Sequence, residues 1–242
     1  MKSKYFGKVD STNAYGKLNL EYLDDKTVVY TSHQTQGRGR FNRKWVGLGA
    51  GNLYMSLILK PSNKFEPVYA NLTQYTCLSL VELLDTYGVK AQIKWPNDIL
   101  VNDKKIAGIL AEAVYKEGEL RGIIIGIGLN LNASEKDLAE IDKPATALNI
   151  ETGHGIDNQI FLNKFYKHYF EGYKDFLTNG FKSIKKDYES YCNFLNKKIE
   201  LCLAEDISEV GVAQKIDNDG ALIVNGIKYY TGDITNCLDE DD

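Results

Sequence analysis

The chain has 242 residues, 43% of them hydrophobic and 26% charged, with a formal net charge of −4. Length and apolar content suit one sizeable domain, or a large one with a small companion, around a real core. The mildly acidic balance argues against a general nucleic-acid binder, which is more often basic.

Asp10, Ser11, Thr12 and Asn13 stand before a predicted helix from Ala14 to Leu23. They are either its N-cap or a row of hydroxyl and amide groups lining a polar pocket. Thr27 to Ser32 is β-branched and aromatic and predicts a strand. Asn52 to Leu59 predicts a second strand, apolar on both faces and therefore central. Between them lies HQTQGRGRFNRKW, His33 to Trp45, with three arginines, one lysine and two glycines. It has no apolar period and reads as a loop fixed at its ends and free in its middle. Gly37 and Gly39 let backbone N–H groups approach an anion while Arg38 and Arg40 close over it. Trp45 offers a flat surface for a base or an anchor for the loop.

Tyr69 to Tyr87 carries a helical apolar stripe that Gly88 ends. Ala91 to Lys94 predicts a strand running into Trp95-Pro96-Asn97-Asp98, which places Lys94 at the strand's end beside an irregular loop. A meander follows: Ile99 to Val101, a turn at Asn102-Asp103, Lys104 to Val114, a turn at Glu117-Gly118, and Leu120 to Asn130. Gly126 and Gly128 inside the last strand mark either a bulge or a close approach. Ala133 to Ile150 reads as a loop with short helical turns. Asp157 to Leu177 is an amphipathic helix with an aromatic core stripe, capped by Asp157 or Asn158, and a second helix runs from Phe181 to about Phe194. Beyond Asn196, short strands at Lys198 to Leu203, Val210 to Ile216, Ala221 to Val224 and Lys228 to Tyr230 suggest a small β-barrel leaning on the main domain. The acidic tail Asp239 to Asp242 is expected to be disordered.

Standard nucleotide and nucleophile signatures are absent: no Walker-type loop, no complete G-x-G-x-x-G, no G-x-S-x-G. His33, His154 and His168 are far apart, and Cys77, Cys192, Cys202 and Cys237 form neither a zinc pattern nor a disulfide framework. No signal peptide or membrane-length apolar run is visible, so a soluble, cytoplasmic protein with no membrane partner is expected. What remains is cationic chemistry, with Arg38, Arg40 and Arg43 on one loop and Lys94 at a strand end. Such a set stabilises the charge that develops when a carboxylate attacks the α-phosphate of a nucleotide, a reaction that needs no protein nucleophile.

GRGRFNRKW, KWPNDIL at Lys94 to Leu100, KIAGILAE at Lys105 to Glu112 and GIGLNLN at Gly126 to Asn132 occur in the order found in biotin–protein ligases, and DSTN at Asp10 to Asn13 and Gln34 fit too. The chain resembles that family over essentially its whole length. The resemblance implies an α+β fold: a mixed-sheet catalytic domain related to class II aminoacyl-tRNA synthetases (residues 1–195) and a small C-terminal SH3-like β-barrel (196–242). With DSTN already at residue 10, it implies the monofunctional type, with no DNA-binding domain and no repressor role. The implied reaction joins biotin and Mg²⁺-ATP into biotinyl-5′-adenylate, then transfers biotin to a lysine of the biotin carboxyl carrier domain of acetyl-CoA carboxylase or a related carboxylase. A monomer or homodimer fits.

By the same resemblance, Ser11, Thr12, Asn13, Gln34 and Gly108 belong to the biotin side. Arg38, Gly39 and Arg40 close over biotin and its adenylate. Arg40 and Arg43 face phosphate, Trp45, Asn97 and Asn130 belong to the nucleotide side, and Lys94 contacts both the biotin carboxylate and the α-phosphate. Lys94 and Arg40 are the catalytic candidates. Asn42 replaces a glycine common in the family loop, a position where asparagine tolerates left-handed backbone. The loop is expected to be disordered when empty and to fold over biotin. A lipoate or octanoate ligase or transferase shares the fold and is the nearest rival; the W-P-N-D run and the G-R-G-R loop favour biotin.

Overall fold

A computed structural model describes residues 1–49, 51–62, 64–204 and 207–238; the tail from Asp239 to Asp242 lies outside the described residues. The chain begins with β1 (Ser3–Phe6), a strand too short to show a period in sequence, which is placed by parallel pairing with β2 (Thr27–Thr31). α1 (Thr12–Leu18) starts earlier than expected because Ser11 Oγ accepts from Ala14 N and caps it. β2 pairs antiparallel with β3 (Leu53–Leu59), every residue of which is buried, as a central strand requires.

α2 (Leu72–Asp85) is entered through a 3-10 turn at Pro67–Asn71. β4 (Gln92–Lys94) and β5 (Asp98–Val101) form a hairpin that pairs Lys94 with Asp98. β6 (Lys104–Lys116) and β7 (Glu119–Leu129) complete the meander. Its two tight turns have the left-handed pairs they require: Asn102 and Asp103 at φ 48 and 60, Glu117 and Gly118 at φ 54 and 80. The mixed sheet has the order β1-β2-β3-β7-β6-β5-β4.

Two short helices, α3 (Glu135–Leu138) and α4 (Leu148–Thr152), precede the long α5 (Asn158–Asn179), which Asp157 caps through Ile160 N at 2.8 Å. The helix expected over Phe181 to Phe194 is shorter: a 3-10 turn at Phe181–Ser183, then α6 (Lys185–Ser190). The Tyr191 carbonyl accepts from Ile93 N at 2.8 Å, so the edge strand β4 takes an acceptor that a continuing helix would use. β8 (Lys198–Ala204), β9 (Ile207–Ile216), β10 (Leu222–Val224), β11 (Ile227–Tyr229) and β12 (Asp233–Leu238) form an antiparallel sheet in the order β11-β10-β9-β8-β12. β12 is absent from the sequence reading: DITNCL is no continuous apolar run, and it pairs with β8 across a register shift.

The fold is thus α+β, a mixed sheet followed by a C-terminal antiparallel one. Ile199, Leu201 and Leu222 of the second sheet share one buried cluster with the main core. Asn71, Gln74 and Trp95 donate to the Asp219 and Gly220 carbonyls at 2.9, 2.8 and 3.3 Å, tying the β9–β10 turn down. On one face of the mixed sheet, Leu57, Leu59, Ile123, Ile125 and Ile127 pack with Leu80, Leu84, Phe161 and Phe165 of α2 and α5. Each such side chain contributes roughly 1.5–3 kcal/mol. Strand residues alternate in direction, so Ser56, Ile58, Ile124, Gly126 and Gly128 turn to the opposite face, where α1 and the basic loop lie.

Candidate active site

Two cross-strand rows form the floor of the site. Ser56 of β3, Gly126 of β7 and Leu110 of β6 are register partners; so are Tyr54, Gly128 and Gly108. The glycines leave the sheet bare where another side chain must lie on it. A methyl group at Gly126 would stand 2.3 Å from Asn13 Oδ1, and one at Gly128 would stand 2.5 Å from Trp45 Cε2. The register of β7 does not shift at either position, so these glycines serve close approach and not a bulge.

Asn13 lies over the first row with all its polar atoms engaged. Its Nδ2 donates to Leu110 O at 3.2 Å and Glu112 Oε2 at 2.8 Å, and its Oδ1 accepts from Ser56 Oγ at 2.6 Å. Lys17 Nζ pairs with Glu112 at 2.6 Å. Thr12 N donates to Gln34 Oε1 at 2.9 Å. Of the two readings of DSTN, Ser11 fulfils the cap, while Thr12 and Asn13 are buried in this network.

Trp45 covers the second row. Lys105 Nζ lies 5.2 Å from its ring centroid and pairs with Asp98 at 2.6 Å. The indole Nε1 of Trp45 and Oδ1 of Asn130 are buried without a hydrogen-bond partner among the described residues.

The basic loop is crossed by backbone hydrogen bonds of its own. Gly39 N donates to Arg43 O and Trp45 N to Gly37 O, around a 3-10 turn at Arg40–Asn42. Left-handed backbone falls on Phe41 (φ 53, ψ 38), one position before the asparagine where the sequence suggests it. Asp233 at the start of β12 supplies the anchor. Arg40 donates to Asp233 Oδ1 and Gly232 O, each at 2.9 Å, to Thr231 Oγ1 at 2.8 Å and to Asn97 Oδ1 at 3.2 Å; Arg43 pairs with Asp233 Oδ2. Burial lowers the Arg40 pKa, and Asp233 beside it works the other way. Arg40 is the more deeply held of the two, with 20% of its side chain exposed against 53% for Arg43.

Lys94 is half-buried and makes no ion pair or side-chain hydrogen bond among the described residues. Burial pulls its ammonium below the ordinary lysine range, Asp98 opposes that shift, and Lys143 and Lys105 reinforce it. A partly desolvated, unpaired cation is suited to an anionic ligand.

All thirteen predicted residues border a single cavity of about 860 Å³. Ser11, Thr12 and Asn13 come from the start of α1 and Gln34 from the segment after β2; Arg38, Gly39, Arg40, Arg43 and Trp45 come from the loop; Lys94, Asn97, Gly108 and Asn130 come from the sheet and its turns. A carboxylic acid and a nucleotide fit such a volume together.

Residues 5–130 match the profile of the Biotin/lipoate A/B protein ligase family. The chain belongs to this family. It is 31% identical over 225 residues to the biotin–[acetyl-CoA-carboxylase] ligase of Paracoccus denitrificans, covering 90% of this chain and 92% of that protein. It is 35% identical over 214 residues to the bifunctional ligase/repressor BirA of Bacillus subtilis, covering 86% of this chain but only 65% of the relative's length. Among solved structures, the biotin protein ligase from Aquifex aeolicus in complex with biotin and ATP is similar at a TM-score of 0.80 and 28% identity, over 97% of both chains.

Sequence reasoning passed over several residues that border the cavity or lie behind its lining. Lys105 and Glu112 stand at the two ends of KIAGILAE, and Ser56 is a lone hydroxyl inside the apolar run NLYMSLIL; those signals were legible. Asp233 had none, since it meets Arg43 across 190 positions of chain.

Proposed function

We propose that this protein activates biotin with ATP as biotinyl-5′-adenylate and transfers it to a lysine of a biotin carrier domain of a carboxylase. One observation supports this most: Lys94, Arg38, Arg40 and Arg43 border the same cavity as the Thr12–Gln34 network, so cationic groups and a neutral hydrogen-bonding network share one chamber. Biotin has the matching polarity, with a carboxylate at one end and a cyclic urea at the other.

In the first step a carboxylate oxygen bonds to the α-phosphorus and the bond to the β-phosphate oxygen breaks, releasing pyrophosphate. Lys94 is the catalytic residue that lies against the carboxylate and α-phosphate, where its charge offsets the negative charge concentrated in the transition state. Arg43, the more exposed partner of Asp233, moves onto phosphate, while Arg40 keeps the loop down. In the second step the acceptor amine attacks the acyl carbon, the bond to AMP breaks, and the amine gives up a proton. Among the described residues no three His, Cys, Asp or Glu side chains converge as a metal site. Mg²⁺ would come with ATP and would supply charge neutralisation at its phosphates.

Residues 1–195 carry this chemistry, and residues 196–242 form an SH3-like module whose Asp233 reaches the loop. No transcriptional repressor role is assigned, and the protein acts in the cytoplasm as a monomer or homodimer. No helix among the described residues is long and apolar enough to cross a membrane. Biotin-dependent ATP–pyrophosphate exchange, run beside lipoate and octanoate, is the test: exchange with biotin alone is expected, and exchange with only lipoate or octanoate refutes the reading. A salt-titrated duplex DNA assay tests for the repressor function named for the Bacillus relative.

A further inference from the structure

We propose that Glu112 and Ser56 are positioning residues: they fix the proton of the Thr12 hydroxyl, making Thr12 a hydrogen-bond acceptor that selects a head group bearing an N–H. Neither residue lines the cavity, whereas Thr12 and Gln34 do. This rests on the biotin reading, where the N–H belongs to the cyclic urea.

The direction of each hydrogen bond follows from groups that have no choice. Leu110 O and the Lys17-paired carboxylate of Glu112 are acceptors, at 3.2 and 2.8 Å from one end of the Asn13 amide, so that end is the NH₂. The Asn13 oxygen therefore faces Ser56, whose Oγ lies 2.6 Å away. Ser56 has one proton and must give it to Asn13, because an amide oxygen only accepts. The 2.8 Å contact with Thr12 Oγ1 also has a geometry that suits Ser56 as donor, but its one proton is committed to the amide, so there its Oγ accepts. On the other side, the backbone N–H of Thr12 fixes Gln34 Oε1 as an acceptor at 2.9 Å, and that same oxygen lies 3.3 Å from Thr12 Oγ1.

Thr12 thus meets only acceptors within the protein. Its proton stays inside the network, and a lone pair is left for the cavity. Gln34, its oxygen committed to Thr12, keeps its NH₂ as a donor. A urea matches this acceptor and donor with its N–H and its C=O. The dithiolane of lipoate and the alkyl chain of octanoate provide neither and leave both groups unpaired. Ser56 is 0% and Thr12 3% exposed, so water does not relax the pattern. A site built to hydrogen-bond a substrate group rejects analogues that lack it far more strongly than an apolar pocket does.

The test uses the full-length protein, biotin binding by calorimetry and biotin-dependent pyrophosphate exchange. Ser56→Ala should weaken biotin binding about tenfold, the loss of one ordered hydrogen bond. Its KM for biotin should rise, with KM for ATP and kcat within about twofold of the unmodified protein. In a Thr12→Val background, which has no hydroxyl to orient, Ser56→Ala should cost nothing further. Glu112→Gln keeps an acceptor for Asn13 and should bind biotin within about twofold of the unmodified protein, whereas Glu112→Leu should behave like Ser56→Ala. This second pair carries the test if Ser56→Ala does not fold. Additive losses from Ser56→Ala and Thr12→Val, or equal losses from the two Glu112 variants, overturn the inference while leaving biotin as the substrate. Failure of the unmodified protein to bind biotin overturns the biotin reading and this inference with it.

Discussion

Gly128→Ala puts a methyl group where Trp45 lies. The added carbon would stand 2.5, 2.7 and 2.9 Å from Cε2, Cζ2 and Nε1 of the indole, where ordinary contact is 3.4–4 Å. The ring is rigid and must retreat as a unit, by about 1 Å. Its retreat pulls on a loop that is closed behind it by Trp45 N to Gly37 O at 3.0 Å and Gly39 N to Arg43 O at 2.7 Å. Overpacking of this kind costs about 1–3 kcal/mol, or roughly five- to 150-fold in an equilibrium constant. The sheet behind Gly128 is unchanged, so the cost falls on the loop and its ligand. In the exchange assay KM for ATP should rise about tenfold or more, while the melting temperature falls by only a few degrees. Tryptophan emission should shift to the red as Trp45 becomes wetter, against a constant background from Trp95, which is 2% exposed in the core. A normal KM with unshifted emission would refute the claim that the glycine rows seat this ring.

Lys94→Ala should abolish biotinyl-adenylate formation, and near-normal pyrophosphate release would count against its catalytic role. Because burial lowers the Lys94 pKa, the exchange rate should decline at alkaline pH earlier than an ordinary lysine dictates, and Lys94→Arg should move that decline to higher pH; an unmoved limb would contradict the assignment. Arg40→Ala should release the adenylate early and weaken biotin affinity, a reading that unchanged retention in rapid filtration would sink. Its hydrogen bond to Glu82 raises the pKa of His168, joining α2 to α5 at 2.8 Å. With the folded value raised, this contribution to stability is complete below the unfolded imidazole value of about 6.5 and is lost as pH rises through the folded value. The melting temperature should drop over that window and His168→Gln should flatten the drop; identical profiles for the two proteins would exclude the pair as its source.

Most of the elements were legible because their signals are local. The β-branched and aromatic run of β2, the apolar density of β3 on both faces, the paired turn residues Asn102-Asp103 and Glu117-Gly118, and the aromatic stripe of α5 each depend on a few neighbouring residues. That the thirteen candidate residues would gather around one cavity was also legible, through motifs of fixed composition. The early stop of α6 was not, because the acceptor at Tyr191 is claimed by Ile93, which the chain reaches nearly a hundred residues earlier. Nor was β12, which has a place only because β8 lies beside it.

The amino-acid sequence by itself determined that a glycine–arginine loop would join two sheet strands and that Lys94 would end a third. Turn chemistry and strand period are properties of adjacent residues, so no tertiary contact was needed to read them. Tertiary structure alone decided what these groups face. Gly126 and Gly128 could mark a bulge or a floor until Asn13 and Trp45 were seen lying on them. The arginines could be free or held until Asp233 arrived from the far end of the chain. Which hydroxyl donates and which accepts around Thr12 depends on four segments meeting at one point, since a proton's direction is set by every partner in the network at once.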